Sequence, residues 1–161
     1  MISLLTMTRR IQAWFSEMDP ALNDPRYLVT DFTGARPLEP DDIVDPYLPN
    51  VIFTGPLFVM NVLKIDWLSI DLMHRFQTAL SMKQQPSPEV GKMAYATCQL
   101  FEAVEYYPNS PPGAVLGCQA SLGMASLFLP KDQRHSMWAR RKFATVESHG
   151  YVKLQVHEYI M

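Results

Sequence analysis

Two proline-containing breaks in residues 95–151 limit the fold of this chain more than any other part of its sequence. The first break is SPPG at residues 110–113, and the second is LPKD at residues 129–132. Proline and glycine interrupt helices, and apolar residues recur at helical spacing on both sides of each break. The pattern predicts three helical segments, of which the middle one is rich in small residues.

Helical patterns also precede this stretch. Residues 1–18 place apolar side chains on one helical face, and residues 51–83 are helical again, with Asp66 as the predicted cap of a second segment. Ser87 and the proline that follows it predict another helix. The serine hydroxyl can cap the start of a helix, and proline is favoured at the first helical position. That helix is expected to end at residue 106 or 107. We therefore predict an all-α fold, an irregular bundle of about five or six helices with a long proline-rich N-terminal connection.

A series of small residues follows the first break. Gly113, Gly117, Ser121 and Ala125 recur every four positions in a helix that Ser110 is predicted to cap. A glycine costs a helix about 1 kcal/mol relative to alanine. We expect a neighbouring helix to approach closely along these residues, because close packing would offset that cost.

The patterns divide the chain into four parts. Residues 1–18 form an amphipathic helix, residues 19–50 a proline-rich connection, residues 51–151 a helical domain and residues 152–161 a tail. Gly150 is predicted to cap the last helix in a left-handed conformation. A connection as long as 19–50 is unusual inside a compact domain. It either wraps the helices or belongs to the linker of a longer protein.

Composition excludes several classes of function. The formal net charge is −2 and the pI is about 6.0, so there is no overall basic surface for nucleic-acid phosphates. Cys98 and Cys118 have the spacing of neither a disulfide framework nor a zinc site, and we expect buried free thiols in a reducing compartment. Arg9 and Arg10 follow a short apolar run instead of preceding it, which argues against a secretion signal. No run is long and apolar enough to predict a membrane span.

An acidic motif occupies the proline-rich connection. Residues 41–45 read DDIVD, a pattern that can hold magnesium against a diphosphate when it lies on a helix. Pro40 and Pro46 flank the motif and leave barely one helical turn. A second magnesium motif is lacking, because Met73 stands where an acid would be needed. We expect a solvated acidic turn, and we expect the chain to use no metal and no cofactor.

The spacing of the remaining polar residues does not match a catalytic motif. Glu102 and Glu105 lie three positions apart on one helix face, which suits acid–base work, but we expect them to be solvated or bonded to Arg140 or Arg141. The four histidines have no metal-ligand spacing, and no nucleophile motif or phosphate loop is present. The basic run that ends at Lys142 is expected to form a solvated face. No catalytic residue is predicted.

Aromatic side chains near acids leave two hypotheses open. One is a ligand or partner pocket formed by Trp67, Phe101, Glu102, Trp138 and Arg141. The other is a small accessory enzyme of secondary metabolism, in which Glu102 or Asp71 acts in an α-helical pocket. The aromatic lining of that enzyme pocket would be Trp67, Phe101, Tyr106, Tyr107 and Trp138.

Several short stretches together carry a family resemblance. They are DWLSIDL at 66–72, CQLFEAVE at 98–105, SPPGA at 110–114, ASLG at 120–123, SLFLP at 126–130, MWARRKFA at 137–144, and Glu147 with Gly150 and Tyr151. Taken together they resemble the C-terminal regulatory region of fungal zinc-cluster (C6) transcription factors. The resemblance covers residues 55–151.

This resemblance implies an all-helical effector-sensing or dimerising module that acts on transcription by RNA polymerase II. The DNA-binding module of that family needs six closely spaced cysteines, whereas this sequence has two that lie far apart. We therefore expect a regulatory or interaction domain without its own DNA-binding module, in the control of a biosynthetic pathway and located in the nucleus or cytoplasm. The expected partners are a protein or a second copy of the chain, with a small-molecule effector as a further ligand. Direct binding to nucleic acid or to a membrane is not expected.

Overall fold

The computed structural model describes residues 24–148, together with Thr6, Arg9, Arg10, Ala13 and Glu17. Four α-helices lie in this part: α1 is Val59–Ser81, α2 is Pro88–Tyr106, α3 is Gln119–Ser126 and α4 is Gln133–Ser148. Single 3-10 turns occur at Pro25–Tyr27, Gly55–Leu57 and Leu116–Cys118. The all-α prediction is confirmed, but five or six helices is wrong for the described part, which has four. Apart from those five residues the predicted helix over 1–18 lies outside the described residues, as do the cap at residue 150 and the tail over 152–161.

The helix count is lower partly because α1 is continuous. No glycine or proline interrupts residues 59–81, so the helix passes through the predicted cap position. Asp66 does not cap a second helix. Its Oδ1 instead accepts a hydrogen bond of 2.7 Å from the Ser121 hydroxyl of α3. This bond ties the middle of α1 to α3.

The start and end of α2 follow the local chemistry of its sequence. The Ser87 hydroxyl accepts a 3.3 Å hydrogen bond from the backbone N–H of Glu89, and Pro88 takes the first helical position as predicted. At the other end Tyr107 is extended, with φ −64° and ψ 120°, because a residue before proline disfavours the helical conformation. The helix therefore ends at Tyr106.

The predicted helix start at Ser110 is wrong. The Ser110 hydroxyl donates to the carbonyl of Val104 in the last turn of α2, so it helps to close the preceding helix. Gly113 has φ +74°, a left-handed conformation that a helix interior does not use, and residues 112–115 form turns. The small residues therefore do not share one helix. Gly117 lies in a 3-10 turn, where a Cβ atom would sit 3.9 Å from Val62 of α1.

Residues 24–58 contain no α-helix and pack against the bundle. Val29 and Ile52 are buried in the core, and Leu28 forms an antiparallel bridge with Phe53. The Asn61 side chain of α1 secures this bridge, since its amide donates to the Phe53 carbonyl at 2.9 Å and its oxygen accepts from the Phe53 N–H at 2.7 Å. The described part of the proline-rich connection is therefore held on the helices.

The core lies between α1, α2 and α3, and α4 covers it through large side chains. Phe101 of α2 and Trp138 of α4 are both completely buried. Cys98 and Cys118 are buried free thiols, as the sequence predicts. The position of α4 matters for the site, because it brings the basic run of the sequence against the acidic end of α2.

Candidate functional site

A fully buried carboxylate links α2 to α4. Glu102 has 0% of its surface exposed, and its Oε1 accepts hydrogen bonds from Trp138 Nε1 at 2.7 Å and from Lys142 Nζ at 2.8 Å. Its Oε2 is also buried and has no hydrogen-bond partner among the described residues. The expectation that Glu102 is solvated or bonded to an arginine is wrong, because α4 turns Trp138 and Lys142 toward α2.

Lys142 also contacts the other polar groups of this cluster. Its side chain is 1% exposed, and Nζ lies 2.6 Å from Glu105 Oε2 and also donates to the Tyr106 hydroxyl. Burial would lower the pKa of Lys142, but Glu105 and Glu102 outweigh that effect and raise it above its usual range. The residue is therefore a buried ammonium, contrary to the expected solvated basic face.

The two carboxylates of the cluster differ in their surroundings. Burial raises the pKa of Glu102, and the opposing effects of Lys142 and Trp138 do not cancel it. Glu105 retains 11% side-chain exposure and lies at the border of the cluster. The arrangement is thus two carboxylates around one ammonium, with one carboxylate in the core and the other near the surface.

A second ion cluster joins the acidic turn to α4. Arg36 Nη2 lies 2.6 Å from Asp42 Oδ1 and donates to the Tyr106 hydroxyl at 2.9 Å. Arg141 Nη2 lies 3.3 Å from the same Asp42 oxygen, and Arg141 also pairs with Asp41. The expected solvated turn is therefore wrong at Asp42, whose side chain is 3% exposed.

The electrostatics of Asp42 follow from these contacts. Burial would raise the pKa of Asp42, but hydrogen bonds from Arg36 and from the Glu39 N–H, with the charge of Arg141, lower it below its usual value. Among the residues that the structure describes, no group of three or more His, Cys, Asp or Glu side chains could hold a metal ion. Through the ion pairs with Arg141, the acidic turn holds residues 36–42 against α4.

The structure brings part of the sequence-predicted pocket together. Glu102 and Trp138 meet in the interior through a hydrogen bond, and Phe101 is buried in the same core. Arg141 contacts the acidic turn, and Trp67 is half-buried on α1. A pocket shared by all five residues stays a prediction.

Asp71, the other carboxylate considered for catalysis, is also buried. It lies on α1 with 1% of its surface exposed, and its Oδ2 is 3.0 Å from Arg75 Nε. A general acid or base must come within hydrogen-bond distance of the substrate. Asp71 and Glu102 are both buried in this conformation, so neither carboxylate is exposed to a substrate. Their geometry suits folding and positioning.

A cleft that the sequence analysis did not identify opens beside the Glu102 cluster. It has a volume of about 440 Å³ and lies between the end of α2, the turn that follows it and α4. Polar and apolar atoms contribute almost equally to its surface, and its lining includes two tyrosines and one carboxylate: Val104, Glu105, Tyr106, Tyr107, Pro108, Ser110, Pro111, Pro112, Gly113, Ala114, Val115, Leu116 and Thr145. The sequence feature that borders this cleft is the break at 110–113, whose pattern predicts the start of a helix.

A comparison of the chain with protein-family models, with curated proteins and with solved structures found no match. No helix within the described residues is long and apolar enough to cross a membrane.

Proposed function

We propose that this chain is a regulatory or interaction domain of the kind found in fungal zinc-cluster transcription factors. It would act in the nucleus or cytoplasm, in the control of a biosynthetic pathway. The support for this proposal is the sequence resemblance together with the roles that the buried charges have in the fold.

The observation that carries the proposal is the contact between α2 and α4. Residues 98–105 and 137–144 carry much of the resemblance, and they meet at the buried group of Glu102, Trp138 and Lys142. The acidic and basic residues in these stretches are thus used to hold two helices together. Because these charges act inside the fold, a partner would be recognised by residues on the surface of the bundle.

One surface on α1 suits contact with another protein. Val59, Leu63 and Ile70 are 60%, 43% and 57% exposed. Successive helical residues are about 100° apart, so these three side chains lie within about 40° of one another around the helix. We name them the α1 face. Exposed apolar side chains grouped in this way are typical of interaction surfaces, which suits a protein partner or a second copy of the chain.

A transcription reporter tests the proposal. The chain is fused to a heterologous DNA-binding domain, and reporter transcription is compared with that of the DNA-binding domain alone. The proposal predicts a clear change in transcription. It also predicts that folded Glu102→Gln and Asp71→Asn fusions keep that change, because neither carboxylate acts on a substrate.

Two results would contradict the proposal. One is a wild-type fusion whose transcription equals that of the DNA-binding domain alone. The other is a folded Glu102→Gln or Asp71→Asn chain that abolishes a metabolic product in the producing cell, which would support the accessory enzyme instead. Circular dichroism of each variant establishes that it is folded.

A further inference from the structure

The cleft at the end of α2 has the dimensions and lining of a small-ligand site. Its volume of about 440 Å³ falls within the range of roughly 300–1,000 Å³ that small-molecule pockets occupy. Prolines, aliphatic side chains and the rings of Tyr106 and Tyr107 line one part of it, and polar atoms contribute about half of its surface. Such a mixed lining favours an amphipathic ligand.

Glu105 is the one charged residue in this lining. Its Oε2 is bound to Lys142, whereas the structure gives its Oε1 no hydrogen-bond partner among the described residues. Glu105 Oε1 is also not one of the buried polar atoms that lack a partner. This oxygen is therefore an acceptor at the border between the cluster and the cleft.

The charges of the cluster favour a cation at this acceptor. Glu102 and Glu105 share the single ammonium of Lys142, at 2.8 Å and 2.6 Å. Another cation, Arg36, is 2.6 Å from Asp42 and contacts the cluster through the Tyr106 hydroxyl. When both glutamates are ionised, these three residues carry one net negative charge. A cationic nitrogen on Glu105 would balance it, and aromatic faces also attract cations.

We propose that the cleft binds a small amphipathic amine, with the apolar body against the residue 108–116 turn and the protonated nitrogen on Glu105. This proposal goes beyond the regulatory function and does not depend on it. The ligand could in principle be a free amine or a lysine side chain of another protein, since both present an alkylammonium group. The prolines and aliphatic side chains of the 108–116 turn favour the free amine, because it can carry a larger apolar body than a lysine side chain.

A matched probe series tests the assignment on the whole chain. Cyclohexylmethylamine, cyclohexylmethanol, cyclohexanecarboxylate and the N-acetyl methylamide of lysine are titrated into isotope-labelled protein, and two-dimensional NMR follows the backbone signals of residues 104–116. We expect cyclohexylmethylamine to bind at least about ten times more tightly than the alcohol. We expect the carboxylate to cause no shifts and the lysine derivative to bind more weakly than cyclohexylmethylamine.

Two variants assign the effect to Glu105. Glu105→Gln should reduce the affinity for the amine to that for the alcohol, and Glu89→Gln, the same substitution in an exposed residue of α2, should leave both affinities unchanged. Equal binding of amine and alcohol to the wild-type chain would overturn the proposal without any variant. So would tighter binding of the carboxylate or of the lysine derivative, or an absence of shifts at residues 104–116 with every probe.

Discussion

At the scale of single residues, Lys142 is the position at which the buried polar contacts of α2 and α4 converge. It donates to Glu102, Glu105 and Tyr106 while its side chain is 1% exposed. Removing one partner of a buried ion pair leaves an uncompensated charge in the interior, which is far more costly than removing a surface pair. The stability of the fold should therefore depend on this lysine.

We predict that Lys142→Met destabilises the chain by about 3–5 kcal/mol, because two buried or half-buried carboxylates lose their counter-charge. Urea unfolding followed by circular dichroism measures the change. Lys92→Met is the matched control, since Lys92 pairs with Glu89 at 2.8 Å on the exposed surface of α2 and should matter little. An equal loss in the two variants would refute the structural role of Lys142.

The two cysteines should be unreactive in the folded chain. Both are completely buried, burial raises the pKa of Cys118 to about 12, and burial raises the pKa of Cys98 further. The thiolate is the reactive form, so a thiol reagent at about pH 8 should modify neither residue until urea unfolds the protein. Mass spectrometry counts the modified thiols. Rapid labelling of the native chain would show that the core around α2 and α3 is packed differently.

At the scale of elements, the acidic turn holds residues 36–42 against α4 through Asp42. The folded pKa of Asp42 lies below its ordinary value of 3.8, so the folded state binds fewer protons than the unfolded state in that range. The stabilisation is consequently present above about pH 4, and it is lost as the pH falls through the lowered folded pKa. Acid should therefore loosen this attachment.

We predict that Asp42→Asn lowers the free energy of unfolding at pH 7 and that its difference from the wild type shrinks toward about pH 3. Below the folded pKa the wild-type carboxyl is protonated and resembles the amide. Urea titrations at several pH values measure this difference. A difference that stays constant from pH 7 to pH 3 would mean that the charge of Asp42 does not stabilise the fold.

The turn between α2 and α3 requires a glycine at position 113. A Cβ atom on Gly113 would lie 2.9 Å from Leu116, and the residue has φ +74°. We predict that Gly113→Ala destabilises the chain by about 1 kcal/mol or more, because alanine disfavours that conformation. Gly91→Ala in α2, where no atom lies within 4 Å of the new Cβ, should stabilise it by about 0.5–1 kcal/mol. Thermal unfolding compares the two, and the same sign for both would contradict this account of the turn.

Local chemistry explains which elements could be predicted from the sequence. The start of α2 depends on Ser87 and Pro88, whose effects act within a few residues, and the prediction was correct. The bond from Trp138 to Glu102 joins residues 36 positions apart, so no local pattern indicates it. Gly113 was misplaced because a run of small residues at helical spacing does not reveal a left-handed residue within it.

At the scale of the whole molecule, the buried charges around Glu102 and Asp42 join elements of the fold, and the α1 face is left exposed. The sequence indicated the helical class correctly, and of the five residues it predicted for one pocket the structure joins Glu102 and Trp138 by a hydrogen bond. The cleft escaped prediction, because it forms only where the ends of α2 and α4 meet the 107–116 turn. This difference arises from tertiary packing.

The central claim is that this bundle acts through surface contacts, and one substitution in the α1 face tests it directly. Leu63 and Leu127 are equally exposed, at 43% each, but only Leu63 belongs to the α1 face. In the reporter fusion, the account predicts that Leu63→Asp abolishes the transcriptional effect of the chain, whereas Leu127→Asp preserves it. Equal transcription from the two folded variants, whether both active or both inactive, would contradict the claim.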